Sequence, residues 1–195
     1  MLLALGSTFF QLAWSAAWGY THVRIRRARG YARGRVPTGA RDRFYRALNP
    51  VLFASQLALS VACLWSRSSF LLEFHDSIAV RSLGAALLAS SLLITRLALR
   101  HLAENYAPCY DAHLPRALVV TGPYAWIRHP MYLAKLLAGI GTVLFSGSLW
   151  LLPSAVYLFI VTLRAVRTEE RALSAHVPGY EAYCRHTRCL VPGLF

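Results

Sequence analysis

Five apolar runs constrain this 195-residue chain more than any other feature. They cover Leu2 to Trp18, Val51 to Trp65, Ile78 to Leu99, Met131 to Phe145 and Leu149 to Leu163. In lipid every backbone N–H and C=O must be satisfied within the protein, and helices do so within a single segment. The expected fold is therefore all-α: a polytopic transmembrane helical bundle of about five spans with a cytosolic helical C-terminal tail. Hydrophobic residues make up 56% of the chain, more than a soluble domain of this length needs. Residues 1–195 then form a single integral membrane domain, with three N-terminal helices in residues 1–100.

The charge pattern fixes an orientation. The formal net charge is +13, and Lys135 is the sole lysine. Arg24, Arg26, Arg27, Arg29, Arg33, Arg35, Arg41, Arg43 and Arg46 crowd the segment 22–46, opposed by Asp42 alone. Such a loop belongs on the cytoplasmic side and suits the anionic headgroups of membrane lipids. A nucleic-acid partner is not expected, because no nucleic-acid motif accompanies the charge. The first run resembles a leader, but its positive charges follow it instead of preceding it, so a retained helix is expected. Five spans then place the segment Arg100 to Arg128 and the tail after Arg164 inside. The arginine-heavy composition suggests a bacterial inner membrane.

The fourth and fifth runs are short for a bilayer. Ser146-Gly147-Ser148 joins them and allows only an antiparallel hairpin. Gly139 and Gly141, with Ala134 and Ala138, permit close helix approach. Arg81 and Arg96, near the ends of the third run, are expected to snorkel to the interfaces. Beyond Arg164 the chain reads as a polar helix through Leu173, a turn at Val177-Pro178-Gly179, and a second short helix opened by Tyr180 and Tyr183. Cys63, Cys109, Cys184 and Cys189 are scattered, with neither a disulfide framework nor zinc-type spacing, so no metal site is expected.

Polar chemistry concentrates at the start of the fourth run. Gly122-Pro123-Tyr124 precedes Arg128-His129-Pro130-Met131-Tyr132. Pro130 suits the first helical turn, which puts His129 at or beside the N-cap. Arg128 and His129 then stand at the positive end of a helix dipole, an anion-friendly corner. An interfacial anchor of Arg, His and Tyr is the plainer reading. Glu169 and Glu170 are adjacent on a helix and diverge by about 100°. One is expected to pair with a nearby arginine and the other to face a ligand. Arg188 follows the tyrosine pair.

In this order and spacing these residues resemble the isoprenylcysteine carboxyl methyltransferases and their bacterial relatives, and more distantly the phospholipid N-methyltransferases. The resemblance rests on Gly122-Pro123-Tyr124, Arg128-His129-Pro130-Met131-Tyr132, Glu169-Glu170-Arg171 with Leu173, Tyr180 with Tyr183, and Arg188 with Pro192. It implies a membrane methyltransferase using S-adenosyl-L-methionine, with residues 121–192 as the catalytic region and no Rossmann sheet. The cofactor would lie between the mouth of the fourth helix and the tail. Tyr124, His129, Pro130, Tyr132, Glu170, Tyr183 and Arg188 are the cofactor-binding candidates. Arg128 and Glu169 are the catalytic candidates: Arg128 to orient an acceptor carboxylate or thiolate, Glu169 to hold Arg128 or bind a cofactor amine. The acceptor would be a lipidic or prenylated small molecule or protein. Three alternatives stay open: a phospholipid N-methyltransferase, a membrane reductase using NADPH, and a scaffold that grips lipid through its arginine-rich loop.

Overall fold

The structure is a computed structural model that describes residues 77–102, 105, 115 and 117–190, with positions 9, 13, 16, 20, 51, 54 and 58 as single helical residues. The first two apolar runs and the arginine-rich loop otherwise lie outside the described residues, as do Cys63, Cys109 and Pro192. Among the described residues four continuous α-helices follow one another: α1 (Ile78–Leu102), α2 (Pro130–Ser146), α3 (Leu152–His176) and α4 (Tyr180–His186). Short 3-10 turns at Gly122–Ala125 and Leu149–Leu151 precede α2 and α3. Among the described residues there is no strand, only one isolated bridge.

The third run becomes α1, the one described helix long and apolar enough to cross a membrane. Its 25 residues measure about 37 Å at 1.5 Å per residue. Its buried stripe is Arg81, Gly84, Leu88, Ser91, Thr95 and Ala98, steps of three and four along one face. Four of the six, Gly84, Ser91, Thr95 and Ala98, are small, so α2 comes close. α2 presents Ala134, Ala138 and Gly141 in return, again at helical spacing. The backbones meet at Gly84 and Gly141. A Cβ on Gly84 would lie 2.5 Å from the Phe145 amide nitrogen and 2.9 Å from the Gly141 carbonyl oxygen. Gly141 is thus a packing residue, as its spacing suggests, while Gly139 faces Leu158 of α3.

Gly147, at φ 72°, caps α2 in the left-handed region that glycine adopts most easily. The chain then turns back into α3, whose far end returns to the start of α2, as the fifth run requires. The fifth run and the polar segment after it form one continuous helix, because no glycine or proline interrupts Ser154 to His176. Its early turns keep Leu152, Val156, Phe159 and Ile160 exposed at spacings of three and four, an apolar face suited to lipid.

Arg81 does not snorkel outward. It is buried, and its Nη1 donates to the carbonyls of Phe145 at 3.2 Å and Ser146 at 3.4 Å. Those carbonyls end α2, where the helix dipole is negative, so a cation from α1 caps α2. Arg96 is exposed. The chemistry lies at the opposite end, where α1 finishes and α2 begins. There the His101 ring sits so close to Gly122 (φ 61°) that a Cβ would collide with it. His101 also lies 3.2 Å from the Thr121 hydroxyl.

Candidate active site at the mouth of α2

Local sequence sets the mouth. Pro130 occupies the first turn of α2, and His129 is its N-cap at φ −125° and ψ 59°. The tail docks against this segment through backbone pairing. The Arg188 amide donates to Trp126 O at 3.1 Å, the Arg128 amide to Arg188 O at 2.7 Å, and the His129 amide to Cys189 O at 3.1 Å. Cys189 and Leu190 then bury against Tyr132 and Val166, with Leu133, Leu136 and Leu163 around them. Cys189 and Leu190 are the last described residues of the tail; the apolar end expected to dock, residues 191–195, lies outside them.

Glu170 is the centre of the site. Arg128 grips it with two bonds, Nε to Oε1 at 3.0 Å and Nη2 to Oε2 at 3.2 Å. His129 Nε2 lies 2.6 Å from Oε1, and the Tyr180 hydroxyl donates to the same oxygen at 2.6 Å. Arg128 Nη1 donates to the carbonyls of Cys184 and Thr187. Four of the five guanidinium N–H groups are thus directed into the protein. The mouth of α2, the end of α3, α4 and the tail meet in one polar knot.

Holding Arg128, one of the two roles expected for Glu169, falls to its neighbour. Glu170, not Glu169, holds Arg128. The cause is helical register: Val166, Glu170 and Leu173 fall at i, i+4 and i+7, and both apolar members are buried. Glu169 is turned aside, 3.9 Å from His129 Nδ1. Side-chain exposure separates the roles: 4% for His129, 12% for Arg128, 23% for Glu170 and 38% for Glu169. Glu169 can meet a ligand; Arg128 is occupied with internal partners.

The other expected residues are placed as follows. Tyr124 is buried, and its carbonyl accepts the Tyr183 hydroxyl at 2.6 Å. Tyr132 is buried with its ring edge-on to His129, 5.5 Å between centroids. Arg188 contributes backbone to the docking, and its side chain is exposed. Tyr180 belongs to the knot and is not among the site residues expected from the sequence. Its signal was present: three residues before Tyr183, it shares that helix face.

Burial alone would raise the Glu170 pKa, but bonds from His129, Arg128 and Tyr180 outweigh it and pull the carboxyl from 4.5 down to about 2. Burial, reinforced by Glu170, raises Tyr180, and burial pushes Tyr183 up to about 12, so both stay donors at neutral pH. A depressed carboxyl stabilises the fold above its unfolded pKa and stops doing so as pH falls through its folded pKa. The docking of the tail should hold above pH 4.5 and weaken progressively toward pH 2, by at most on the order of 3 kcal/mol. Pepsin cleavage within residues 177–190, followed from pH 5 downward, measures this. Glu170→Gln should flatten the profile, and a wild-type profile unchanged in that variant would refute the assignment.

Comparison with known proteins agrees with the family read from the motifs. A family model described as phospholipid methyltransferase matches residues 79–177, just over half of the sequence. The chain is 36% identical over 78 residues to the cobalt-zinc-cadmium resistance protein CzcN of Cupriavidus metallidurans, covering 40% of this chain and 36% of that one. It is 33% identical over 78 residues to the nickel-cobalt-cadmium resistance protein NccN of Alcaligenes xylosoxydans xylosoxydans, covering 40% and 37%. The match spans little more than a third of each relative's length. The matched family region runs from the start of α1 to just past the end of α3, and the chain belongs to the phospholipid methyltransferase family, that of the membrane isoprenylcysteine and phospholipid methyltransferases.

Proposed function

We propose that this chain is a membrane-embedded methyltransferase dependent on S-adenosylmethionine, with about five spans and a cytosolic site in a bacterial inner membrane. Its acceptor is a lipidic or prenylated molecule carrying a carboxylate or thiol. The observation that carries this reading is the separation of charges at the mouth. Arg128, His129 and Glu170 satisfy one another, while Glu169 and Arg188 flank them with charge turned toward solvent.

That donor set fits the cofactor. S-adenosylmethionine carries an ammonium, a carboxylate, ribose hydroxyls and an aromatic base. Glu169 suits the ammonium or ribose, and Arg188 the carboxylate. When bound, the cofactor supplies an activated methyl group on a sulfonium. The protein's part is placement. The knot fixes the tail against α2, so that groups on α3 and the tail hold one geometry. The exposed apolar faces of α1 and α3 offer a lipid acceptor a lateral path to that end of the bundle. A carboxylate or thiolate acceptor needs no strong base, which agrees with the lack of an unengaged buried acid among the residues of the knot. The setting we propose is metal-ion stress, which the names of both relatives state for them.

Calorimetry with S-adenosylhomocysteine and with NADPH on the purified chain tests this. S-adenosylhomocysteine should bind, and Glu169→Gln and Arg188→Ala should each weaken it about tenfold, the loss of one charge-assisted hydrogen bond. Both variants should melt like the parent. Binding of NADPH alone would move the chain to the reductase reading, and binding of neither to the scaffold.

A further inference from the structure

We infer that His129, Glu170 and Cys189 form a three-ligand site for a borderline-soft divalent cation such as Zn²⁺ or Co²⁺, with a fourth position open. Their ligand atoms (an imidazole nitrogen, a carboxylate oxygen and the thiol sulfur) all lie within 4.8 Å of one another. Ligands at 2.0 to 2.3 Å around a tetrahedral metal stand roughly 3.5 Å apart, so modest side-chain movement closes the set. The three residues come from three segments: the N-cap of α2, the end of α3 and the docked tail. Sequence spacing does not reveal them, because the ligands meet only when the tail docks.

The surroundings are those of a built site. With Nε2 as ligand, His129 leaves Nδ1 on the side of Glu169 Oε2, 3.9 Å away and too far for a hydrogen bond, so a small rotation of the exposed Glu169 would be needed for it to orient the imidazole. Tyr180 and Arg128 Nε bond the same Glu170 oxygen, Oε1, that His129 approaches, and Arg128 Nη2 holds Oε2. A thiol beside an imidazole favours Zn²⁺, Co²⁺ or Cd²⁺ over Mg²⁺ and Ca²⁺, which select oxygen. Arg128 is a nearby positive charge, and the thiol answers it. As the sulfur–metal bond forms, the Cys189 proton leaves to solvent, so the pocket gains one net charge from a divalent ion instead of two. Bound metal would compete with Arg128 for Glu170 and fasten the tail to α2. None of this depends on methyl transfer.

The test is titration of the full-length protein in detergent with Co²⁺, followed by absorption. One equivalent should produce a thiolate-to-cobalt charge-transfer band with the intense visible bands of tetrahedral Co²⁺. Zn²⁺ should displace it, and excess Mg²⁺ should not. Cys189→Ser should abolish the charge-transfer band, and Cys184→Ser should keep it. Absence of the band, its survival in Cys189→Ser, or its loss in Cys184→Ser alone would each overturn the site. If Cys189→Ser does not fold, alkylation of the parent decides. Zn²⁺ should slow iodoacetamide labelling of Cys189 at least tenfold by peptide mass, and unchanged labelling would overturn the proposal. S-adenosylhomocysteine binding by the metal-free parent is measured separately, so the two readings fail independently.

Discussion

Glu170→Ala is expected to release the C-terminal tail from the mouth of α2 and to destabilise the protein by about 3–5 kcal/mol. The substitution strands three donors at once. Arg128 loses both bonds that neutralise its partly buried charge, His129 loses its acceptor at 2.6 Å, and Tyr180 loses the acceptor of its hydroxyl. A largely desolvated cation left without its partner is the costly case, because its desolvation is no longer offset. Arg128→Ala should be milder, because Glu170 keeps His129 and Tyr180. Glu169→Gln should change stability by less than about 0.5 kcal/mol, since that side chain is more exposed and makes only a 3.9 Å approach. Thermal unfolding in detergent with limited proteolysis of residues 177–190 separates these outcomes. A Glu170→Ala protein as stable as the parent, or a larger loss in Glu169→Gln, would contradict the arrangement.

Gly84→Ala should destabilise the protein although it improves helix propensity. In a helix interior alanine is favoured over glycine by up to about 1 kcal/mol. At position 84 the new Cβ would meet backbone: Phe145 N at 2.5 Å and Phe145 Cα and Gly141 O at 2.9 Å. Backbone atoms cannot rotate away as a side-chain tip can, so α1 and α2 must separate. Overpacking of this kind costs about 1–3 kcal/mol, and parting the stripe from Gly84 to Ala98 adds lost contact along the interface. Gly84→Leu should prevent assembly of the pair. Gly139→Ala is the contrast: its Cβ would meet only the Leu158 Cδ2 methyl at 3.0 Å, a flexible tip. Melting temperatures should fall in Gly84→Ala and stay near the parent value in Gly139→Ala. A more stable Gly84→Ala protein would refute the close crossing.

Much of the frame is legible in the sequence because it is local. Pro130 announces the start of α2, Gly147 its end, and Gly179, at φ 80°, the entry to α4. The third apolar run reads directly as α1. Pairings that depend on tertiary contact are harder. Arg81 near a helix end reads as snorkelling, and its capping of α2 follows only once α1 and α2 lie side by side. Arg188 reads as a side chain with a task, yet its backbone makes the bridge to Trp126 and Arg128. The choice between Glu169 and Glu170 was within reach: the stripe Val166, Glu170, Leu173 is written in the sequence, and apolar neighbours at i−4 and i+3 mark the inward carboxylate. The grouping of His129, Glu170 and Cys189 was out of reach, since it joins residues separated by 41 positions in one case and by the docked tail in the other.

The central claim is that a knot centred on Glu170 positions a methyl-transfer site at one end of a membrane helix set. The most direct measurement is transfer of radiolabelled methyl from S-adenosylmethionine into lipid-extractable product, by membranes containing the full chain. The parent should label a lipid-phase product, Glu170→Ala should reduce labelling at least a hundredfold, and Glu169→Gln should reduce it with the protein still fully folded. Labelling by the parent that persists undiminished in Glu170→Ala, or no labelling in any lipid mixture by a parent that binds NADPH, would contradict the account.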